Sequence, residues 1–212
     1  RPASVDIVWE GKTVRPPLYI GRPLPNGGSQ VTLLAVPHVF VSGKEIPASS
    51  LIYTWKEDDV PLGGKSGYGK SSITVTPPRF GQSFTVSVHA ETVDGRGAGD
   101  GSAVITPQTP RLLVYENAPL LGLRFEKAVA GTFALSEPEV SFTAFPLFVA
   151  DADALSYQWT LDGSPFAVDP EKPRDATLRK VGSGTGDHAV SFSFTNPKNF
   201  MEEASASFTL HF

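Results

Sequence analysis

The sequence predicts an all-β fold built of two tandem β-sandwich domains. Apolar residues recur at every second position through many short segments, and one set of segments occurs twice along the chain. Glycine and proline together make up 39 of the 212 residues, about 18%, against roughly 12% in average proteins. These observations favour short strands joined by turns, because long helices tolerate neither strict alternation nor frequent glycine and proline.

The composition also narrows the classes of function. Lysine and arginine number 18 against 22 aspartate and glutamate residues, which gives a net charge of −4. We therefore expect no nucleic-acid partner, since such proteins present a basic surface to the phosphates. Cysteine is absent, which excludes disulfides, thiolate metal ligands and a cysteine nucleophile.

The clearest repeat is a Leu-x-Tyr-x-Trp strand that ends in an acidic turn. It stands at residues 51–59 and again at residues 155–163. Upstream of it, residues 31–40 and 140–149 share an alternating strand that reaches Ala-x-Pro. Loops vary in length more readily than strands, so the uneven spacing of these matches is expected of two copies of one domain.

Two further correspondences extend the repeat. Residues 19–24 and 115–120 share the pattern Tyr-x-x-x-Pro-Leu, and residues 84–90 fall in register with residues 188–194. The repeat predicts a first sandwich at residues 1–108, with an extra N-terminal strand segment at its start, and a second sandwich at residues 109–212.

Alternation identifies the buried face of several strands. In the first copy Phe84, Val86, Val88 and Ala90 point one way, and in the second copy Val190, Phe192 and Phe194 do so. Residues spaced by two lie on one face of a strand, so these side chains are expected in the two cores. The only helical candidate is residues 125–129, about one turn.

About seven short strands per copy, with a tryptophan in an early strand, predict immunoglobulin-like sandwiches without disulfides. Their predicted structural core contains Tyr53 and Trp55 in the first copy, and Tyr157 and Trp159 in the second. A Tyr-x-Trp strand followed by an acidic turn also resembles the PKD-like modules of bacterial surface proteins.

A closer resemblance covers nearly the whole chain. It rests on four motifs, which are Trp9-Glu10, Pro16-Pro17-Leu18-Tyr19-x-Gly21-Arg22, Ser66-Gly67-Tyr68-Gly69-Lys70 and Tyr115-Glu116-Asn117-x-Pro119-Leu120-Leu121-Gly122. In these motifs the sequence resembles uncharacterised tandem-sandwich proteins of candidate-phylum bacteria of the Parcubacteria type. The resemblance implies a location outside the cell or on its surface, with membrane attachment only through a tail outside this chain. It implies no activity.

Residues 64–71 satisfy the phosphate-loop formula G-x-x-x-x-G-K-S. A phosphate loop must leave a buried strand and open a helix, whose amides hold the phosphates; here an alternating strand follows, so we expect no nucleotide. A second interpretation makes this segment an interaction loop in which Lys65, Tyr68 and Lys70 meet a protein or glycan, since tyrosine is a favoured contact residue. The alternative is that Tyr68 folds back over the sandwich edge and the glycines only form turns.

Other motifs suggest metal binding or catalysis, but each has a structural alternative. Residues 94–101 space two aspartates with glycines, yet calcium needs six to eight oxygens, so a hairpin connection is predicted. The acids at residues 57–59 and at Asp162 lie within turns rather than across a cleft, as glycoside hydrolysis requires. The four histidines lack metal-ligand spacing. We therefore expect no cofactor, no metal and no enzymatic activity.

Two functions of different class fit these features. The first is a non-catalytic extracellular or cell-surface module that acts in structure, spacing or adhesion, with a protein or glycan partner. The second is an accessory carbohydrate- or protein-binding module of a secreted enzyme, which needs a planar row of exposed aromatic side chains.

Overall fold

The structure is a computed structural model that describes residues 3–78 and 81–212. Its strands belong to two units. Unit 1 contains the chain up to Thr13 and from Ile20 to Gln108, and unit 2 contains Val14–Tyr19 and Thr109–Phe212. Among the described residues the only helical elements are short 3₁₀ turns at Ala48–Ser50, Gly63–Lys65 and Ala152–Ala154. The predicted all-β class is thereby confirmed.

Unit 1 is a sandwich of two antiparallel sheets. One sheet has the strand order β1-β2-β8, and the other has the order β10-β9-β5-β6 with β7 also paired to β5. A small hairpin of β3 and β4 lies outside both sheets. The strands are β1 (Ser4–Gly11), β2 (Val31–His38), β3 (Phe40–Val41), β4 (Lys44–Glu45), β5 (Leu51–Glu57), β6 (Val60–Pro61), β7 (Gly67–Tyr68), β8 (Ser72–Val75), β9 (Phe84–Thr92) and β10 (Ala98–Ile105).

Unit 2 repeats this plan with two added strands, β12 and β13, and its described residues form no equivalent of β3, β4 or β7. Its sheets have the orders β12-β11-β14-β17 and β13-β19-β18-β15-β16. The added strand β13 pairs in parallel with β19, whereas all other pairings are antiparallel. The strands are β11 (Arg111–Ala118), β12 (Gly122–Leu123), β13 (Thr132–Ala134), β14 (Glu139–Leu147), β15 (Ser156–Leu161), β16 (Ser164–Pro165), β17 (Asp175–Arg179), β18 (Asp187–Thr195) and β19 (Glu203–His211).

Three of the four repeat correspondences coincide with equivalent strands. They pair β2 with β14, β5 with β15, and β9 with β18. The fourth is wrong: Tyr115 lies in β11, whose counterpart is β1, whereas Tyr19 lies in no strand and belongs to unit 2. Prolines at positions 16, 17, 23 and 25 flank Tyr19, and proline cannot donate to a sheet. The segment at residues 5–10 lies in β1, the edge strand paired with β2.

The predicted helical turn at residues 125–129 is also wrong. The segment is a non-helical turn in which the amide of Lys127 donates a hydrogen bond to the carbonyl of Arg124. Its Phe125 ring packs edge-on against Tyr115, with ring centroids 5.2 Å apart, and lies 5.5 Å from Phe145. Tertiary packing of one aromatic ring therefore outweighs a weak local helical preference.

Each unit has its own core. In unit 1 the alternating residues Phe84, Val86, Val88 and Ala90 are buried, as their spacing predicts. In unit 2 Val190, Phe192 and Phe194 are buried in the same way. Burying one large apolar side chain contributes about 1.5–3 kcal/mol, so these strands supply much of the stability of a cysteine-free chain.

Strands β1 and β10 approach each other closely at a glycine. A Cβ atom on Gly101 would lie 2.1 Å from the carbonyl oxygen of Val5, and one on Gly99 would lie 3.1 Å from the amide nitrogen of Ser4. Only glycine permits backbone approach at such distances. This contact sets the place of β1 in unit 1.

Candidate functional site

Trp55 of β5 ties a glycine-rich segment of unit 1 to the core. Its indole Nε1 donates to the carbonyl of Lys70 at 2.8 Å, and its amide donates to the hydroxyl of Ser66 at 2.9 Å. The same hydroxyl donates to the carbonyl of Leu62 at 2.9 Å. We call residues 62–70 the anchored loop, because a fully buried tryptophan holds it at two points.

The predicted interaction residues lie on the exposed side of this loop. Lys65, Tyr68 and Lys70 are all exposed, and Tyr68 is 62% exposed. The backbone of Tyr68 pairs with Ile52 in β7, and the ammonium of Lys65 donates to the carbonyl of Thr74. The loop therefore presents an aromatic ring between two cationic side chains, which suits contact with a flat or acidic surface.

The phosphate-loop formula has no helix to complete it. Ser71 is followed by β8, and the carbonyl of Lys70 already accepts the Trp55 indole. The segment thus lacks the run of helical amides that grips a phosphate.

Ser66 links Trp55 to Leu62 through its hydroxyl, a role that the sequence did not identify. Its hydroxyl both accepts from Trp55 and donates to Leu62. Serine among glycines ordinarily indicates a turn, so the sequence contains no signal that separates this residue from its neighbours.

Unit 2 repeats the framework around its own tyrosine and tryptophan. The hydroxyl of Tyr53 donates to the carbonyl of Ala48 at 2.8 Å, and that of Tyr157 donates to the carbonyl of Ala152 at 2.7 Å. Burial raises the pKa of Tyr53, and it raises the pKa of Tyr157 to about 12. Both rings pack in their units, Tyr53 fully buried and Tyr157 partly.

Trp159 is buried like Trp55. Its indole Nε1 donates to the carbonyl of Pro173 at 3.2 Å. In both units the indole therefore bonds the connection that leads to the next strand of the opposite sheet, β8 or β17.

The acidic turns are two-residue hairpins that also brace a neighbouring strand. Asp58 and Asp162 both adopt positive φ, at 45° and 49°, as hairpin turns of type I′ require. Their carboxylates accept the amides of Thr85 and Ala189, each at 2.8 Å. His188 donates to Asp162 as well and, together with the Ala189 amide, lowers the pKa of that carboxyl.

The two aspartates of residues 94–101 bond neighbouring side chains. Asp94 accepts from the Thr92 hydroxyl at 2.8 Å and from Arg96 Nε at 2.6 Å, and these bonds lower its pKa to about 2. All four histidines pair with an aspartate. The closest nitrogen to oxygen distances are 3.3 Å for His38 and Asp6, 2.7 Å for His89 and Asp100, 2.7 Å for His188 and Asp162, and 2.6 Å for His211 and Asp187.

Buried Glu202 fixes the loop between β18 and β19. It is 1% exposed, and its carboxylate accepts the amide of Ala150 at 2.9 Å and the side-chain amide of Asn196 at 2.6 Å. A buried charge is tolerated only where hydrogen bonds satisfy it.

Two features are absent from the described residues. Among them, no group of three or more His, Cys, Asp or Glu side chains is placed to hold a metal ion. Within residues 3–78 and 81–212, no helix has the length and apolar composition that crossing a membrane requires.

The comparisons with known proteins concern the fold. No protein-family model matches the chain, and no curated protein matches it. Among solved structures the chain is similar to the three N-terminal domains of the Highly Immunogenic Outer Capsid protein (Hoc) of bacteriophage RB49, with 20% identity and a TM-score of 0.48, covering 99% of this chain and 59% of that one. It is also similar to the fibronectin(III)-like modules of Clostridium thermocellum CbhA, with 15% identity and a TM-score of 0.30 over 97% of this chain and 93% of that one.

A third likeness is to Bacteroides ovatus SGBP-B, solved in complex with a mixed-linkage heptasaccharide. The identity is 12% and the TM-score is 0.28, over 95% of this chain and 47% of that one. The strand orders of the sheets define the class of protein. The chain consists of tandem immunoglobulin-like β-sandwich modules.

Proposed function

We propose that the chain is a non-catalytic extracellular or cell-surface module that acts in structure, spacing or adhesion. The anchored loop of unit 1 is its contact surface, and the partner is a protein or a glycan. The observation that carries this proposal is the 62% exposure of Tyr68 on a loop fixed by the buried Trp55.

The physical argument concerns pre-organisation. A tyrosine offers a large contact area at low cost in side-chain entropy, and a loop held by the core loses little further freedom when it binds. Bonds from Trp55 to Lys70 and to Ser66 restrict the backbone on both sides of Tyr68. Such a loop is suited to recognition rather than to chemistry.

The absence of catalysis is part of the proposal. The acids of the sequence motifs, Asp58, Asp94 and Asp162, accept hydrogen bonds from their own turns and neighbouring strands. This engagement supports structural roles for these three acids. The resemblance to tandem-sandwich proteins of the Parcubacteria type supports the proposed location.

We also propose that the chain folds as two domains with a boundary between residues 108 and 109. The two units divide the chain at the same point, except that the segment Val14–Tyr19 groups with unit 2. The amide of Val14 donates to the carbonyl of Val149 at 2.7 Å, which supports this assignment.

The test measures location and binding together. Fractionation of the producing cells, with protease treatment of intact cells, is expected to recover the protein outside the cytosol. The labelled chain is then titrated onto isolated cell envelopes. Tyr68→Ala is expected to weaken this binding at least about tenfold, as a contact residue worth more than about 1.4 kcal/mol does, with an unchanged melting temperature.

Phe200→Ala is the matched control, since Phe200 is an aromatic residue of unit 2 with 73% exposure. Equal binding by wild type and Tyr68→Ala, or a wholly cytosolic protein, contradicts the proposal. Binding to a glycan array that survives Tyr68→Ala favours the accessory carbohydrate-binding function instead.

A further inference from the structure

Unit 2 contains an open cleft of about 1000 Å³ beside strand β13. Residues 116–121, at the end of β11 and in the turn toward β12, form one wall, and residues 133–139 include the facing part of the chain after β13. Val140, Ser141 and Arg179 complete the lining. We call this feature the β13 cleft; its size is at the upper end of the range for binding pockets.

Strand β13 uses one edge for its pairing with β19. The amide of Thr209 donates to the carbonyl of Gly131, and the amide of Leu135 donates to the carbonyl of His211, both at 2.8 Å. Alternate residues of a parallel strand bond the same neighbour. Gly131, Phe133 and Leu135 therefore direct their backbone groups toward β19.

The intervening residues direct their backbone groups to the other edge. Thr132, Ala134 and Ser136 are exposed, and β13 is the last strand of its sheet. Within the described part of the chain, no strand pairs with this second edge. An unpaired edge is a template for one more strand, and residues 132–134 of β13 offer about 10 Å of it, at roughly 3.3 Å per residue.

The cleft beside this edge is apolar. On one lip Leu120 is 97% exposed and Leu121 is 73% exposed. On the other side Phe133 lines the cleft and also packs on the core, where its ring lies 5.3 Å from that of Phe142. Two adjacent exposed leucines facing an aromatic floor mark a place where an apolar side chain of a partner is buried.

The charged residues around the cleft are mainly acidic. Glu116, Glu137 and Glu139 line it together with one cation, Arg179. Arg179 is occupied, because its NH2 group donates to Glu139 at 2.6 Å. The carboxylate of Glu137 has no hydrogen-bond or ion-pair partner among the described residues. The field at the rim therefore favours a cation and disfavours an acidic ligand.

We propose that the β13 cleft binds an extended peptide segment of a partner protein that combines apolar side chains with at least one lysine or arginine. The segment adds to the free edge of β13 by backbone hydrogen bonds. An apolar side chain enters the cleft between Leu120 and Phe133, and the basic residue meets Glu137. This site lies within unit 2 and does not depend on the anchored loop of unit 1.

The test begins with a random library of 12-residue peptides displayed on phage and selected against the whole chain. Selected sequences are expected to alternate apolar residues and to contain a basic residue. The strongest peptide is then synthesised with a fluorescent label and titrated by anisotropy. A second version with methylated backbone nitrogens at alternate positions keeps the side chains but removes strand hydrogen bonds, and it is expected to bind at least tenfold more weakly.

Three variants locate the site. Leu120→Asp and Glu137→Lys change exposed side chains and are each expected to weaken binding at least tenfold, while Ala134→Pro blocks the strand edge. Phe200→Asp is the matched control, because Phe200 is exposed in the loop between β18 and β19. Melting temperatures are measured for the three site variants and the control. If another variant fails to fold, Leu120→Asp decides the test, because Leu120 is exposed.

The outcomes are distinct. The proposal is supported if peptide binding is lost with Leu120→Asp and with the methylated peptide but is kept in full by Phe200→Asp. A library that yields no binder, acidic selected sequences, or binding that survives both Leu120→Asp and Glu137→Lys overturns it. Because Tyr68→Ala tests unit 1, failure of either proposal is recognised separately.

Discussion

Replacing Trp55 by phenylalanine tests whether one buried ring both stabilises unit 1 and fixes the anchored loop. Trp55 is fully buried between the sheets, and its indole Nε1 donates to the carbonyl of Lys70 at 2.8 Å. Phenylalanine keeps an aromatic ring at this place but lacks the donor. The amide bond from Trp55 to Ser66 involves the backbone, so it is expected to remain.

The expected loss has two parts. The smaller ring lacks three heavy atoms, which costs about 2 kcal/mol at roughly 0.8 kcal/mol for each methylene-sized group. Loss of the hydrogen bond to Lys70 costs about 1 kcal/mol more. Unit 1 of Trp55→Phe should therefore be less stable by about 3 kcal/mol, which corresponds to an increase of about a hundredfold in its opening equilibrium.

Hydrogen exchange followed by mass spectrometry measures this opening separately in each unit. Peptides from β5 and β9 should exchange about a hundredfold faster in Trp55→Phe, while peptides from β18 keep their rates. Trp159→Phe is the matched control, because Trp159 is the equivalent residue of unit 2 and its indole donates to Pro173 at 3.2 Å. This variant should accelerate exchange in β15 and β18 instead. An acceleration of β5 and β9 below tenfold would refute the assigned role of Trp55.

The other predictions concern a glycine, a tyrosine and a buried acid. Gly101→Ala should destabilise unit 1 by about 3 kcal/mol, since a Cβ would lie 2.1 Å from the Val5 carbonyl oxygen and overpacking costs about 1–3 kcal/mol or more. Gly64→Ala is the control, because Gly64 has open space around it. Equal melting temperatures of the two variants would contradict the close contact between β1 and β10. Burial raises the pKa of Tyr157 from 10.0 to about 12, so this phenol ionises at lower pH in the unfolded chain than in the folded one. The contribution of Tyr157 to the stability of unit 2 is therefore retained below pH 10 and lost as the pH rises toward 12. Denaturant titrations across this range should show a smaller loss in Tyr157→Phe. Glu202→Ala removes a buried acceptor of two hydrogen bonds and should cost unit 2 about 2–4 kcal/mol in urea unfolding, since each buried donor left unpaired costs about 1–3 kcal/mol.

The sequence predicted the strands whose inner faces are set by local alternation. Phe84 and Val86 are buried in unit 1, and Phe192 and Phe194 in unit 2, because a period of two places such residues on one face whatever the rest of the chain does. The Tyr-x-Trp strand was recognisable for a second reason, because the same pattern occurs at residues 51–59 and again at residues 155–163.

Features that depend on distant partners could not be predicted. The motif at Tyr19 matched the one at Tyr115 in letters, but only Tyr115 lies in a strand. The role of Ser66 depends on Trp55, and the free edge of β13 depends on its parallel pairing with β19 near the end of the chain. Local sequence patterns contain no information on such pairings, since parallel strands need no short turn to join them.

The two copies differ in the connection that their tryptophans hold, and this difference is the reason why we propose a contact at unit 1. In unit 2 the connection turns inward: Phe166 packs against the core, with its ring 6.4 Å from that of Trp159, and Val168 packs beside it. In unit 1 the equivalent connection exposes its aromatic residue, Tyr68, to solvent. One indole bond fixes each connection at its end. Tyr68 projects into solvent, so it can change without disturbing the sheets of unit 1. Unit 1 thus keeps the residues that stabilise its sandwich separate from Tyr68, the residue that we propose meets its partner.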